Sequence, residues 1–109
     1  MIHLTSETKI HLAIKPCDFR CQIDGLAAVT KHRLKHDPRS GALYVFINRA
    51  KTMVRILSYQ ENGYWIATKR LSRGRFETWP TSEASISDAT SKELRVLLKS
   101  LSKNVVKET

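Results

Sequence analysis

Residues 42 to 71 constrain this chain more than any other stretch. They read as three runs rich in apolar, β-branched and aromatic residues: Ala42 to Ile47, Thr52 to Tyr59 and Tyr64 to Leu71. Each is too short for a stable helix and has the composition of a strand. Glu61-Asn62-Gly63 separates the last two, and Asn and Gly tolerate the positive φ of a tight hairpin. Asn48 to Lys51 supplies a second turn. The centre of the chain therefore reads as an antiparallel meander.

The flanks carry the other period. Phe19, Ile23, Leu26, Thr30 and Leu34 recur at helical spacing, which predicts an amphipathic helix over about 19 to 35. Asp18 is its expected N-cap, and Gly25 is expected to permit close packing on a sheet. Asp37-Pro38-Arg39-Ser40-Gly41 ends the helix in a turn. Upstream, Ile10, Leu12 and Ile14 alternate with other residues, the pattern of a half-buried strand, and Pro16 closes it. Downstream, Arg73-Gly74-Arg75 is a turn and Phe76 to Trp79 has the length of a short last strand. Pro80 to Ser91 reads as a connector. Thr90 and Glu93 fit a capping box. Leu94, Leu97, Leu98 and Leu101 then form the apolar stripe of a second helix over about 91 to 102.

The expected fold is α+β: an antiparallel β-meander of three to five strands with two packed α-helices. Residues 1–102 form a single domain and 103–109 a flexible C-terminal tail. The expected core is Ile14, Phe19, Ile23, Leu26, Leu34, Val45, Ile56, Leu94, Leu97 and Leu98. A chain of 109 residues has room for one such domain. No apolar run approaches the ~20 residues of a membrane helix. Residues 1–9 lack the basic start and apolar stretch of a secretory signal. The expectation is a cytoplasmic, nucleoid-associated protein with no membrane partner.

Charge supplies the first functional clue. The chain carries 19 Lys and Arg against 10 Asp and Glu, a net charge of +9. Residues 9 to 75 hold 14 of these cations and only four acids, Asp18, Asp24, Asp37 and Glu61, whereas residues 76 to 109 balance. A field concentrated in this way favours polyanions. In a meander, the 47–52 and 71–75 turns lie at the same end of the sheet. They bring Arg49, Lys51, Lys69, Arg70, Arg73 and Arg75 toward one rim, with Arg55 in mid-strand. Spaced Arg and Lys donors suit backbone phosphates, and Arg pairs with them bidentately. No recognition helix is evident, so contacts independent of base sequence are expected. Tyr44, Tyr59, Tyr64, Trp65 and Trp79 have rings that can stack on bases, although core packing accounts for most of them.

Other chemistries fit poorly. Cys17, Cys21, His32 and His36 approach a zinc-finger spacing. On one helix, however, Cys21 and His32 would stand about 16 Å apart at ~1.5 Å per residue, too far to share an ion. The acids of the basic region do not converge as two-metal catalysis requires. No phosphate loop or nucleophile motif is present. The reading is of a protein that is not an enzyme, with no cofactor, no metal and no small-molecule substrate.

Several short motifs, taken in order, resemble a known family. They are Leu12-Ala13, Asp18-Phe19-Arg20, Asp24-Gly25-Leu26-Ala27, Asp37-Pro38 with Ser40-Gly41, and Val45-Phe46 with Asn48-Arg49. Lys69-Arg70-Leu71, Gly74-Arg75-Phe76 and Trp79-Pro80 follow. This series resembles the TnpB-type accessory protein, the second open reading frame, of the IS-sixty-six family of bacterial insertion sequences. The resemblance covers roughly residues 10 to 80. Ser58-Tyr59-Gln60 departs from it, and Cys17 and Cys21 are not family features. It implies a role in transposition beside a separate, larger transposase. The implied partners are DNA, at element ends or non-specifically, and the co-encoded transposase and accessory proteins. The other reading is a protein-interaction module that bridges or regulates the transposase without touching DNA, through exposed strand edges and Trp65.

Overall fold

The computed structural model describes residues 4–99. Strand β1 (Ile10–Ala13) leads to helix α1 (Ile23–His32). Strands β2 (Leu43–Ile47), β3 (Met53–Gln60) and β4 (Gly63–Arg70) follow, then β5 (Ile86–Ala89) and helix α2 (Ser91–Lys99). The five strands form one sheet in the order β4-β3-β2-β1-β5. The β2-β3-β4 meander is antiparallel, as its turns demand. The sheet as a whole is mixed, which corrects the purely antiparallel expectation. β1 lies parallel to β2, with His11 opposite Tyr44, and α1 makes the crossover between them. Parallel neighbours need such a long connection, whereas a hairpin does not.

β5 is the second correction. It arises inside the segment read as a connector and pairs antiparallel with β1. Phe76 to Trp79 forms no strand. Instead Phe76 and Trp79 are buried pegs, and the Trp79 indole donates to the Ala13 carbonyl at 3.0 Å. With neighbours on both sides, β1 is also more buried than alternation suggested. Ile10 and Leu12 point to one core, Ala13 to the other, and His11 is half-buried.

Every residue of β2 is buried, because the two helices cover opposite faces. On the α2 face, Leu43, Val45 and Ile47 join Ile10, Leu12, Val54, Phe76, Leu94 and Leu97. On the α1 face, Tyr44 and Phe46 join Leu26, Leu34 and Leu57. The α1 face also has polar parts. His11 Nδ1 lies 2.6 Å from an Asp88 carboxylate oxygen, and the His11 ring stacks on Tyr44 at 5.4 Å and meets the His36 ring at a tilt, 4.6 Å between centroids. The Tyr44 hydroxyl donates to the Asp37 carbonyl at 3.0 Å, and buried Thr30 donates to the Leu26 carbonyl.

Helix α1 begins four residues later than its apolar stripe suggests. Gln22 is the N-cap and its side chain makes no capping bond. Asp18 is not the cap. Its carboxylate accepts instead from the Arg20 backbone and guanidinium. The late start leaves Ile23 36% exposed and Phe19 only partly buried. A Cβ on Gly25 would meet the Cys21 Cβ at 2.8 Å, so this glycine admits the incoming loop rather than the sheet. The α2 capping box forms as read: Thr90 N–H donates to Glu93, and Glu93 N–H to the Thr90 hydroxyl, at 2.9 and 3.0 Å. Ile14, Leu26, Leu34, Val45, Leu94 and Leu97 are buried, while Ile56 and Leu98 pack at the core margin. The expected 100–102 end of α2 and the 103–109 tail lie outside the described residues.

Candidate nucleic-acid interface

The ends of β2 and β4 and the start of β3 share one end of the sheet. Asn48 builds the first turn there. Its side-chain oxygen accepts from the Thr52 and Met53 N–H groups at 2.9 and 3.1 Å, and its amide reaches the Thr52 hydroxyl. An Asn can bond its own local backbone in this way, which makes it a strong turn residue. Lys51 takes the left-handed conformation with φ 61°.

The 71–76 loop is tied to that turn by main chain. Leu71 N–H donates to the Thr52 carbonyl at 2.9 Å, and Phe76 N–H to the Lys51 carbonyl at 2.8 Å. Phe76, buried below, pins the loop down. Arg49, Lys51, Arg73 and Arg75 thus occupy two adjoining turns, with Arg70 at the end of β4, and all but the half-buried Lys51 are exposed.

A third segment joins them. The Cys17 N–H donates to the Ile47 carbonyl at 2.9 Å, and Cys17 bridges to Asn48 in parallel fashion, which brings Asp18, Phe19 and Arg20 to the same end. Arg20 grips the Asp18 carboxylate at 2.6 and 2.9 Å. These hydrogen bonds, chiefly from the Arg20 side chain and then from its backbone N–H, lower the Asp18 pKa to about 2, and Arg49 adds a smaller pull. Arg20 was not among the sequence candidates. The signal lay in its place two residues after Asp18, a spacing at which a carboxylate reaches both the backbone and the guanidinium.

Two of the sequence candidates are placed differently. Arg55 extends under the 19–21 segment, where one guanidinium nitrogen donates to the Phe19 and Cys21 carbonyls at 2.9 and 3.1 Å. Its guanidinium lies 4.9 Å from the Phe19 ring centroid. It is a strut behind the loop rather than a side chain of the rim. Lys69 reaches to α2 and donates to the Leu98 carbonyl at 2.8 Å. A cation beside a helix C-terminus complements the helix dipole.

The Cys and His residues do not gather. Cys17 is buried, and Arg33 donates to its sulfur at 2.9 Å. Burial raises the Cys17 pKa, and Arg33 offsets part of that rise. The His36 ring lies tilted against His11 rather than beside the cysteines, and no group of three or more metal-ligating side chains converges among the described residues. Of the candidate stacking aromatics, Tyr44 and Trp79 are buried, Tyr59 and Tyr64 pack edge to face, and Trp65 is 49% exposed on β4. No helix among the described residues is long and apolar enough to cross a membrane.

Comparison with known proteins agrees with the motif series. The chain is 31% identical over 98 residues to "Uncharacterized protein y4hO" of Sinorhizobium fredii (strain NBRC 101917 / NGR234), covering 90% of this chain and 84% of that protein. It is 29% identical over 86 residues to "Uncharacterized protein y4jC" of the same organism, covering 79% and 74%. No solved structure matches. The family described as "IS66 Orf2 like protein" matches residues 8–108, nearly the whole chain, and the protein belongs to that family.

Proposed function

We propose that this protein is a non-catalytic accessory factor for transposition of an insertion sequence, and that it holds DNA backbone on the basic end of its sheet. Family membership supports the association with an IS66-type element. The observation that carries DNA binding is the joining of two turns by Leu71–Thr52 and Phe76–Lys51 backbone bonds. That suture holds the cations of both turns in fixed relation. Arg20 enlarges the set, and Asp18 and Glu77 are the only acids on the segments 15–22, 48–52 and 71–77. Phosphate contacts of this kind fix a protein on a duplex without reading its bases.

The test is a salt titration of binding to element-end and random duplexes. Removing one cation that neutralises a phosphate should lower the log–log salt slope by about 0.9. Arg70→Glu with Arg73→Glu should weaken binding to both duplexes alike. Unchanged affinity in the folded double variant would reject this surface.

One observation favours a second reading. β4 is an edge strand of eight residues with Trp65 exposed, and an open edge can accept a strand from a partner. Under that reading, Trp65→Ala abolishes transposase capture, while charge reversal on the rim leaves it intact even in high salt.

A further inference from the structure

The cations of the rim and its struts leave several others unexplained, and a group of them gathers elsewhere. Lys31, His32, Lys35 and Arg39 are all exposed. With Tyr64 and Asp37 they line a groove of about 760 Å³ between the exit of α1 and the start of β4. Asp37 is the only acid of that lining, and its carboxylate already accepts the Arg39 N–H at 2.9 Å. The Arg39 guanidinium lies 5.2 Å from the Tyr59 ring centroid, a cation–π position that holds the charge at the groove wall.

Cations at a helix C-terminus often serve only the helix dipole. Here backbone N–H groups already bond two of the carbonyls in the last turn of α1. The Val29 carbonyl accepts from Arg33 and Leu34 N–H groups, and the Thr30 carbonyl from His36 N–H. None of that hydrogen bonding needs the Lys31 or Lys35 side chain. Lys35 itself has φ 60°, a conformation that glycine or asparagine adopts more readily. A cation thus occupies a position that local geometry would give to a glycine.

The groove and the rim are apart. Tyr64 lines the groove, Arg70 ends the same strand at the rim, and six residues of strand span about 20 Å. α1 leaves the rim side after β1 and ends at the groove before β2 begins. The two basic sets therefore lie at opposite ends of the sheet. We propose that the groove is a second site for DNA backbone, so that one molecule holds two duplex segments, one at each end. This inference rests on the proposed DNA binding by the rim. Its charge, concavity and single compensated acid suit a phosphodiester chain.

The experiment uses the full chain, one bead-tethered duplex and a second labelled duplex of random sequence. Wild-type protein should retain the labelled duplex on the beads, and excess salt should release it. Lys31→Glu, Lys35→Glu and Arg39→Glu together should lower this capture at least tenfold while leaving affinity for a single duplex within about threefold. Capture equal to wild type in that variant would overturn the proposal, since it would mean bridging through paired molecules. Absence of capture by wild type would also overturn it and would favour an acidic protein segment as the occupant. Loss of single-duplex affinity equal to that of the Arg70→Glu, Arg73→Glu variant would overturn it too, because both ends would then serve one duplex. Failure of the rim reading shows separately, as unchanged single-duplex binding in the rim variant. Lys35→Gly guards against misfolding by charge reversal: it should raise the melting temperature and still weaken capture. Full capture by this stable variant would count against a role for Lys35.

Discussion

The two faces of the sheet are held by different physics. The α2 face is almost wholly hydrocarbon: Ile10, Leu12, Leu43, Val45, Ile47, Val54, Leu94 and Leu97, closed by Phe76 and Trp79. The α1 face mixes Leu26, Phe46 and Leu57 with Tyr44, His11, Thr30 and the Arg55 strut. Burial is non-directional, so the α2 face supplies mainly cohesion, and it positions the 71–79 segment by seating the Phe76 and Trp79 side chains, with the Trp79 indole donating to the Ala13 carbonyl. Hydrogen bonds are directional, and those of the α1 face lead to loops. Arg55 reaches the 19–21 segment, and Tyr44 the 37–40 turn. The α2 face seats the 71–76 loop by burying a side chain, and the α1 face ties down the 19–21 and 37–40 segments by hydrogen bonds.

The sharpest way to break this contrast is Phe76→Ala. Phe76 is 1% exposed and belongs to the hydrocarbon face. Its truncation should cost about 3–5 kcal/mol, from forfeited transfer energy plus a residual cavity. Urea unfolding measures this, and a cost below about 1 kcal/mol would show that the 71–76 loop is not pinned by its side chain.

Arg55→Met should act differently. It keeps the apolar stem and removes the donors to Phe19 and Cys21, at a cost of about 1–3 kcal/mol if those carbonyls stay unpaired. Its signature is local: amide exchange should quicken over residues 17–22 far more than in β2. Uniform acceleration would show that the strut supports the whole fold rather than the loop.

The smallest effect concerns Asp18. Its carboxyl titrates at about 2, below its ordinary value, so the linked stabilisation is present above the unfolded pKa and is lost as pH falls toward 2. The pair is exposed, with little expected change in unfolding free energy. A carbon-detected titration of the Asp18 carboxyl gives the midpoint directly. A value near 4 would mean that Arg20 is not held. Under the DNA reading, Asp18→Asn frees Arg20 and should steepen the salt slope slightly.

Much of this was legible before any fold was known. The 42–71 runs became β2, β3 and β4 to within a residue or two, because strand composition and turn chemistry act over a few neighbours. The Thr90–Glu93 box is equally local. The hairpin shows the limit of such reading: Glu61, rather than Asn62 or Gly63, takes the positive φ there. That the 47–52 and 71–75 turns lie at the same end of the sheet was also readable, since β3 and β4 together return the chain to the end at which β2 finished.

Long-range pairing was not legible. Nothing within Ile86–Ala89 marks it as a strand apart from the β1 edge that receives it. The parallel choice of β1 depends on where α1 returns the chain. Lys69 looked like a rim cation and mid-strand Arg55 like a further DNA-binding one, because sequence gives a charge but not its direction. Only the fold aims one at the Phe19 and Cys21 carbonyls and the other at Leu98. Local propensity, turns, the α2 capping box and the excess of positive charge were determined by the sequence itself. Strand partners, the exposed start of α1 and the division of cations between structural ties and open surface were decided by tertiary structure, because each depends on groups brought together from distant parts of the chain.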